Sequence, residues 1–398
     1  MTIVLKGGTL IDGRGGSPIY NAAVLLDGNR IEAVGKVGDF ESSYEDVTTI
    51  DITGKTIMPG LINMHEHLTY KEALGNPMEF MDKESVQGLT IFGVKTLLKL
   101  LRNGFTTVRE MGAMHGIALY LRDKVEAGEL PGPRVIACNQ PISCTGGHAD
   151  VLNMIADGPD EMRRAARKQM SLGADFVKVM ASHDPWPMPG EQKTRAELTS
   201  SEISAAFDEA HSWGKRTACH CMGEVAIRNV IEAGVDIIDH GIYLNDELAE
   251  LMALKGVYLS PTFSAYHKQT LDPKYKRGEK WVDAHTPLAE AQPESVSAAI
   301  RAGVKIVNGT DSVGNYAEEV DLLRKEGMDP MKTLLSCTGW AAEALGMDDQ
   351  IGTIESGKLA DIVVLNGDPL DDPYALEQVE LVIKEGRVYK PDEINLPI

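Results

Sequence analysis

Residues 58–67 read Met58-Pro59-Gly60-Leu61-Ile62-Asn63-Met64-His65-Glu66-His67. A Pro-Gly break followed by an apolar run describes a buried strand. In a strand, residues i and i+2 face the same side, so His65 and His67 point inward together at its end. Two neutral imidazoles held that close suit a divalent metal such as Zn²⁺. A buried polar pair is the plainer alternative.

Outward from this stretch, strand-like and helix-like segments alternate as far as about residue 348. Eight strand candidates are Thr56–His67, Thr106–Glu110, Arg134–Cys138, Asp175–Met180, Arg216–Cys221, Val235–His240, Val257–Pro261 and Val304–Asp311. Amphipathic helical stretches separate most of them, among them Val86–Arg102, Pro159–Leu172, Thr199–Ser212 and Pro293–Ala302. That alternation predicts an α/β fold of parallel strands with helical crossovers. Eight such units fit a (β/α)8 TIM barrel, whose chemistry sits at the C-terminal strand ends. The first 57 residues and residues 349–398 have another texture, short strands broken by Asp12-Gly13, Asp27-Gly28, Asn366-Gly367 and Glu385-Gly386. Neither end is long enough to bury a core alone. The expectation is one small β-sandwich domain built from 1–57 and 349–398, with the barrel, 58–348, inserted between them.

The chain has 398 residues, with 39 Lys+Arg against 59 Asp+Glu and a net charge of −20. Phosphate backbones and anionic lipid would repel it, so neither nucleic acid nor a membrane is an expected partner. No apolar run reaches the roughly 18–20 residues of a membrane span, and the start lacks the signature of a secretory signal. A cytoplasmic protein is expected. Five cysteines, an odd number in a large chain, argue against a disulfide framework. The C-x-C of Cys219 and Cys221 reads as two small strand residues facing one way.

Four further polar placements fall at ends of the predicted strands. Alternation puts Lys178 on the face of Phe176 and Met180. If that face is interior, burial disfavours the ammonium, and CO2 can add to the neutral amine, giving a carboxylate able to bridge two metals. A strand-edge lysine reaching solvent is the alternative. His220 and His240 each end a β run, as ligands or as packed, capping residues. Asp311 ends the eighth candidate, where it could ligate a metal and take a proton from water, or cap the next segment. Four His, one Lys and one Asp converging on one mouth fit a two-metal hydrolytic site.

With these residues the chain resembles the amidohydrolase superfamily, in its imidazolonepropionase-like branch of Xaa-Pro and Xaa-Arg dipeptidases with carboxylated-lysine binuclear sites. The resemblance runs from Gly7-Gly8-Thr9-Leu10-Ile11-Asp12-Gly13 to Gly352-Thr353-Ile354-Glu355-Ser356-Gly357-Lys358-Leu359-Ala360-Asp361-Ile362-Val363-Val364-Leu365. It implies that His65, His67 and Asp311 bind the more buried metal, and His220 and His240 the outer one. Carboxylated Lys178 would bridge the two, with a hydroxide between them. Zinc is the default, though Mn, Co or Fe suit the same donors. His148, in Thr145-Gly146-Gly147-His148, and Tyr243 would hold the substrate or the oxyanion; a turn histidine and a surface tyrosine are the alternatives.

Three positions depart from the branch. Met222 stands where relatives often have the second histidine of a His-x-His-Gly run that begins at the His220 position, and Glu110 where they often have Asp. The loop from Ala181 to Gly190 differs from the Gly-Gly-Val-type loop of the dipeptidases, which makes His183 and Trp186 candidates for altered substrate recognition. Loops at this face set substrate choice.

The expected activity is metal-dependent hydrolysis of a C–N amide bond in a small-molecule substrate, a dipeptide or N-acyl amino acid. Asp311 would act as the base, with His148 and Tyr243 beside it. A lactam, cyclic imide, phenylurea or carbamate in the same site is the nearest alternative. Deamination of a ring amidine and a metal-free scaffold role stand further off. Homo-oligomerisation through the helices is open.

Overall fold

The structure is a computed structural model in which residues 2–40, 47–70, 81–184, 194–271 and 279–394 are described. Trp186 lies outside the described residues. In chain order the first strands are β1 (Thr2–Leu10), β2 (Ile19–Asp27), β3 (Arg30–Lys36), β4 (Thr48–Asp51), β5 (Thr56–Pro59) and β6 (Leu61–Glu66). There follow β7 (Phe105–Glu110), β8 (Arg134–Ala137), β9 (Ile142–Ser143), β10 (Met154–Ile155), β11 (Phe176–Met180) and β12 (Arg216–Cys221). The last are β13 (Ile237–His240), β14 (Tyr258–Ser260), β15 (Ile362–Leu365), β16 (Val379–Lys384) and β17 (Arg387–Tyr389).

Strands from both ends of the chain share one mixed sheet, in the order β17-β16-β15-β5-β1-β2-β3, with β4 alongside β1. The join is the antiparallel pairing of β15 with β5. Its buried cluster is aliphatic, including Leu5, Leu10, Val24, Ile57, Ile362 and Val364.

The middle of the chain forms two parallel sheets, β6-β7-β8 and β10-β9-β11-β12-β13-β14. Backbone hydrogen bonds link them on both flanks. On one side the Asp175 N–H donates to the Ala137 carbonyl at 2.8 Å. On the other, residues 305–308 lie between β14 and β6: the Leu259 N–H donates to Lys305 O at 3.1 Å, and the Met64 N–H to Asn308 O at 2.8 Å. Helices between the strands bury apolar faces, as in Val86–Arg102, where Leu89, Gly93, Leu97 and Leu101 recur at i, i+4. Thr199 and Glu202 form a reciprocal capping box at the start of Ser200–Ser212.

Two segments differ from expectation. Thr56–His67 is divided at Gly60, with β5 in the mixed sheet and β6 opening the parallel one. A side chain at residue 60 would collide with that of Thr106, so only glycine lets the strand turn from one sheet to the other. The expected strand Val304–Asp311 makes a single bridge, Ile306 to Leu259. Beyond it the N–H groups of Thr310 and Asp311 both donate to the His65 carbonyl, at 3.2 and 2.8 Å, which bends the chain off the ladder.

Among the described residues no helix is long and apolar enough to cross a membrane. All five cysteines are free.

Candidate metal centre and active site

The structure gathers the histidines of the separate strands into one buried cluster. Ring centroids lie 5.5 Å apart for His65 and His67, 5.1 Å for His65 and His240, and 4.7 Å for His220 and His240. Three of these rings have Nδ1 committed. His65 Nδ1 lies 3.2 Å from Asp239 Oδ1, His67 Nδ1 3.0 Å from the Gly112 carbonyl, and His240 Nδ1 2.7 Å from Thr262 Oγ1. Such bonds fix the tautomer and leave Nε2 as the free donor atom toward a metal. His220 Nε2 is buried without a partner among the described residues. A cation would satisfy that atom, so the donor set fits one.

Asp311 completes the arrangement. Its Oδ1 lies 3.4 Å from His65 Nε2 and 3.5 Å from His67 Nε2. Ligand atoms of His65, His240 and Asp311 lie within 4.8 Å of one another. Asp311 does not cap the helix that follows, Tyr316–Lys325; Asn315 does, its Oδ1 accepting from the Glu318 N–H at 2.8 Å. Burial pushes the Asp311 carboxyl up to about 7, and the Glu66 charge adds to this against the opposing pull of Lys178. Burial, with the Lys178 charge, lowers the imidazoles: His67 to about 4, His240 to about 3.

Two of these residues reach the cluster against strand alternation. His240 has φ +70° and Asp311 φ +47°, left-handed values that few non-glycine residues adopt. In the register of β12 and β13, His220 pairs with Asp239, so Asp239 is the inward-facing residue by parity. The left-handed turn at His240 then swings the next imidazole inward as well. Strain of this kind concentrates at functional sites.

Asp239 is the residue that sequence reasoning missed, and it is the hub of the buried network. Its Oδ2 lies 3.3 Å from Lys178 Nζ, and its Oδ1 2.6 Å from Arg109 Nη2. Arg109 also donates from Nε to the Met64 carbonyl at 2.5 Å. Burial alone would raise the Asp239 carboxyl, but Lys178, Arg109 and His65 hold it well below the usual range. Lys178, on β11, faces inward as alternation predicts. Glu66 and Glu110 are paired neighbours on β6 and β7. Glu66 accepts from the Ser312 hydroxyl and from Asn63 Nδ2 at 3.0 Å. Burial pushes Glu110 up to about 8. Cys219 and Cys221 join the apolar cluster beneath the helices, opposite His220.

The loops after the strands carry the remaining candidates. The His148 ring stacks on His220 at 4.1 Å. His183 Nδ1 lies 2.9 Å from Glu197 Oε1. Tyr243 packs with Met222, Ile242 and Leu288, and its hydroxyl faces the Pro287 carbonyl at 3.5 Å. Asp184, unflagged in the sequence, lies 2.8 Å from His285 Nε2, and its Oδ2 accepts from the Tyr266 hydroxyl at 3.4 Å. Tyr266 in turn meets the His240 ring edge-on at 5.4 Å. No sequence motif marks Asp184, Glu197 or Tyr266, because their roles arise from loops and a helix, Phe263–Leu271, that meet only in three dimensions.

Parallel strands with ligand-type side chains gathered at their ends define a hydrolytic enzyme of the α/β class. A model of the Amidohydrolase family matches residues 56–389, and the chain belongs to that family. It is similar to the crystal structure of a Xaa-Pro dipeptidase with methionine bound in its active site, at 30% identity and TM-score 0.88, over 98% of this chain and 100% of that one. A prolidase complexed with N-methylphosphonate-L-proline superposes with TM-score 0.89 at 28% identity, over 98% of this chain and 100% of that one. Ochratoxinase of Aspergillus niger is 26% identical over 432 aligned residues, 97% of this chain and 86% of that protein. The protein is an amidohydrolase acting on carbon–nitrogen bonds of small molecules.

Proposed function

We propose that this enzyme cleaves the amide bond of a dipeptide or N-acyl amino acid, in a closed (β/α)8 barrel of residues 58–348. Residues 1–57 and 349–398 would form its β-sandwich companion. The hydrogen bonds from Asp175 to Ala137 and from Met64 to Asn308 support closure of the barrel. The observation that carries the function is the convergence of His65 and His67 Nε2 on Asp311 Oδ1, beside the buried Lys178 and a His220 Nε2 that has no partner among the described residues.

We assign His65, His67 and Asp311 to the inner of two divalent cations, His220 and His240 to the outer, and a CO2-derived carboxylate on Lys178 to the bridge. For that modification the Lys178 ammonium leaves Asp239 and releases two protons to water, one before and one after its nitrogen bonds the carbon of CO2, which leaves an N-carboxylate. When bound, the cations, zinc on ligand type, supply Lewis acidity toward the scissile carbonyl and acidify a water. Asp311 takes the proton of the attacking water and returns it to the leaving nitrogen. His148 and Tyr243 hold the carbonyl oxygen or the carboxylate end of the substrate, and His183 its polar end. The free cysteines support a cytoplasmic setting.

The test is kinetics against dipeptides, N-acyl amino acids and cyclic amides, with elemental analysis of the same samples. Release of an amino acid, with about two cations per chain, is expected. Cleavage confined to cyclic imides, phenylureas or carbamates would move the substrate class within the same site. Ammonia release from a ring amidine without amide cleavage would overturn the reading.

A further inference from the structure

One buried carboxylate ties together the two loops that flank the imidazole cluster. Glu197 Oε2 accepts from the backbone N–H of His148, and Oε1 from Nδ1 of His183, both at 2.9 Å. The Glu197 side chain is 0% exposed. Its backbone is pinned as firmly: the Glu197 N–H donates to Ala181 O and the His183 N–H to Arg195 O, each at 2.8 Å. Gly147 makes room for the carboxylate, since a Cβ there would stand 2.9 Å from Glu197 Oε2.

The sense of these bonds fixes the chemistry of His183. A carboxylate oxygen only accepts, so a ring proton sits on Nδ1, and the neutral form of the ring then presents its lone pair at Nε2. That Nε2 is buried and has no partner among the described residues, and the same holds for His148 Nδ1. Buried polar atoms in native proteins are almost always partnered, so an unmet acceptor beside a catalytic cluster implies a donor that arrives with the ligand. His183 and His148 share the Glu197 carboxylate, and the His148 ring stacks on His220.

We propose that His183 is a specificity-determining residue that accepts a hydrogen bond from a free amino group of the substrate, and that Glu197 is the positioning residue that sets its tautomer. The proposal rests on the amide-hydrolase reading and sharpens it, favouring dipeptides over their N-acyl counterparts.

Glu197→Gln tests it with little disturbance of shape. The amide oxygen still accepts from His148, while the NH2 donates to His183 Nδ1 and moves the ring proton to Nε2. Long-range ¹⁵N–¹H NMR of histidine-labelled holoenzyme at alkaline pH, with the His183 signals assigned through His183→Gln, should show an Nδ1–H ring in the wild type and an Nε2–H ring in Glu197→Gln. In parallel, the kcat/KM ratio of a dipeptide over its N-acetyl derivative should fall about 10- to 100-fold in both Glu197→Gln and His183→Ala, with cation content unchanged. An Nε2–H ring in the wild type, or an unaltered ratio in both variants, overturns the proposal. Cleavage of neither compound by the wild type overturns the amide reading, and with it the substrate arm of the proposal, while the NMR still decides the role of Glu197.

Discussion

The mixed sheet and the parallel sheets each have a buried interior, but the two interiors differ in chemistry. The interior of the mixed sheet is aliphatic, built on residues such as Leu5, Val24 and Ile362. The parallel strands bury Arg109, Lys178, Asp239, His65, His220 and His240, none more than 3% exposed. Isolated buried charges are costly, and this second interior rests on Asp239, which pairs with Lys178, Arg109 and His65, while His220 Nε2 is left without a partner among the described residues. The contrast separates a part that holds the chain together from a part that holds reactive groups in place.

Asp311→Asn should show the largest effect on the reactive side. It keeps the shape of the side chain but removes the group that carries the proton. We expect kcat on the best amide substrate to fall about 10²- to 10⁴-fold, with stability of the cation-free protein little changed. Steady-state kinetics and elemental analysis check this together; near-normal kcat in that variant would refute the base assignment.

The same contrast explains what was legible in the sequence. Strand-like runs located β11 and β12, and alternation with period two placed His65 inward and Lys178 on the face of Phe176 and Met180, because these residues sit inside regular strands. The helix Val86–Arg102 was legible from its i, i+4 apolar face. His240 and Asp311 were found as strand-terminal residues, but the cause of their orientation, a left-handed backbone, cannot be read from periodicity. Asp239 was not legible because the register that turns it inward is set by pairing with β12, which local sequence does not encode. Arg109 likewise reads as an ordinary strand residue until Asp239 is placed opposite it. The division at Gly60 was hidden because both halves of Thr56–His67 are strands; only their sheets differ.

A paired experiment should sharpen the comparison at intermediate size. Leu5→Ala should cost about 2–5 kcal/mol in chemical denaturation, yet leave kcat per folded molecule and cation content unaltered. Arg109→Leu should cost a comparable amount, about 3–5 kcal/mol, because Asp239 loses its 2.6 Å partner. Unlike the first variant it should also lose bound cation, since Asp239 then no longer holds His65 in place. Full cation retention in Arg109→Leu would place the arginine with the structural residues instead.

The smallest effect concerns a buried polar group that serves structure within the reactive half. Glu319 accepts from the N–H groups of Phe263 and Ser264 at 2.7 and 2.6 Å, beside Thr262, which orients His240. Burial pushes its carboxyl from 4.5 up to about 7, against the pull of those two N–H bonds. Between these values the folded chain holds a proton that the unfolded chain releases, so this group's contribution to stability falls as pH rises through the window. Glu319→Gln removes that titration and leaves every other group in place. The stability of the wild type relative to the variant should therefore drop by at most about 3 kcal/mol between roughly pH 4.5 and 7.5, measured by urea denaturation of both proteins in matched buffers. A flat difference would mean that Glu319 is ionised throughout, held by its two N–H donors, and that buried charge in the parallel half is compensated even outside the imidazole cluster.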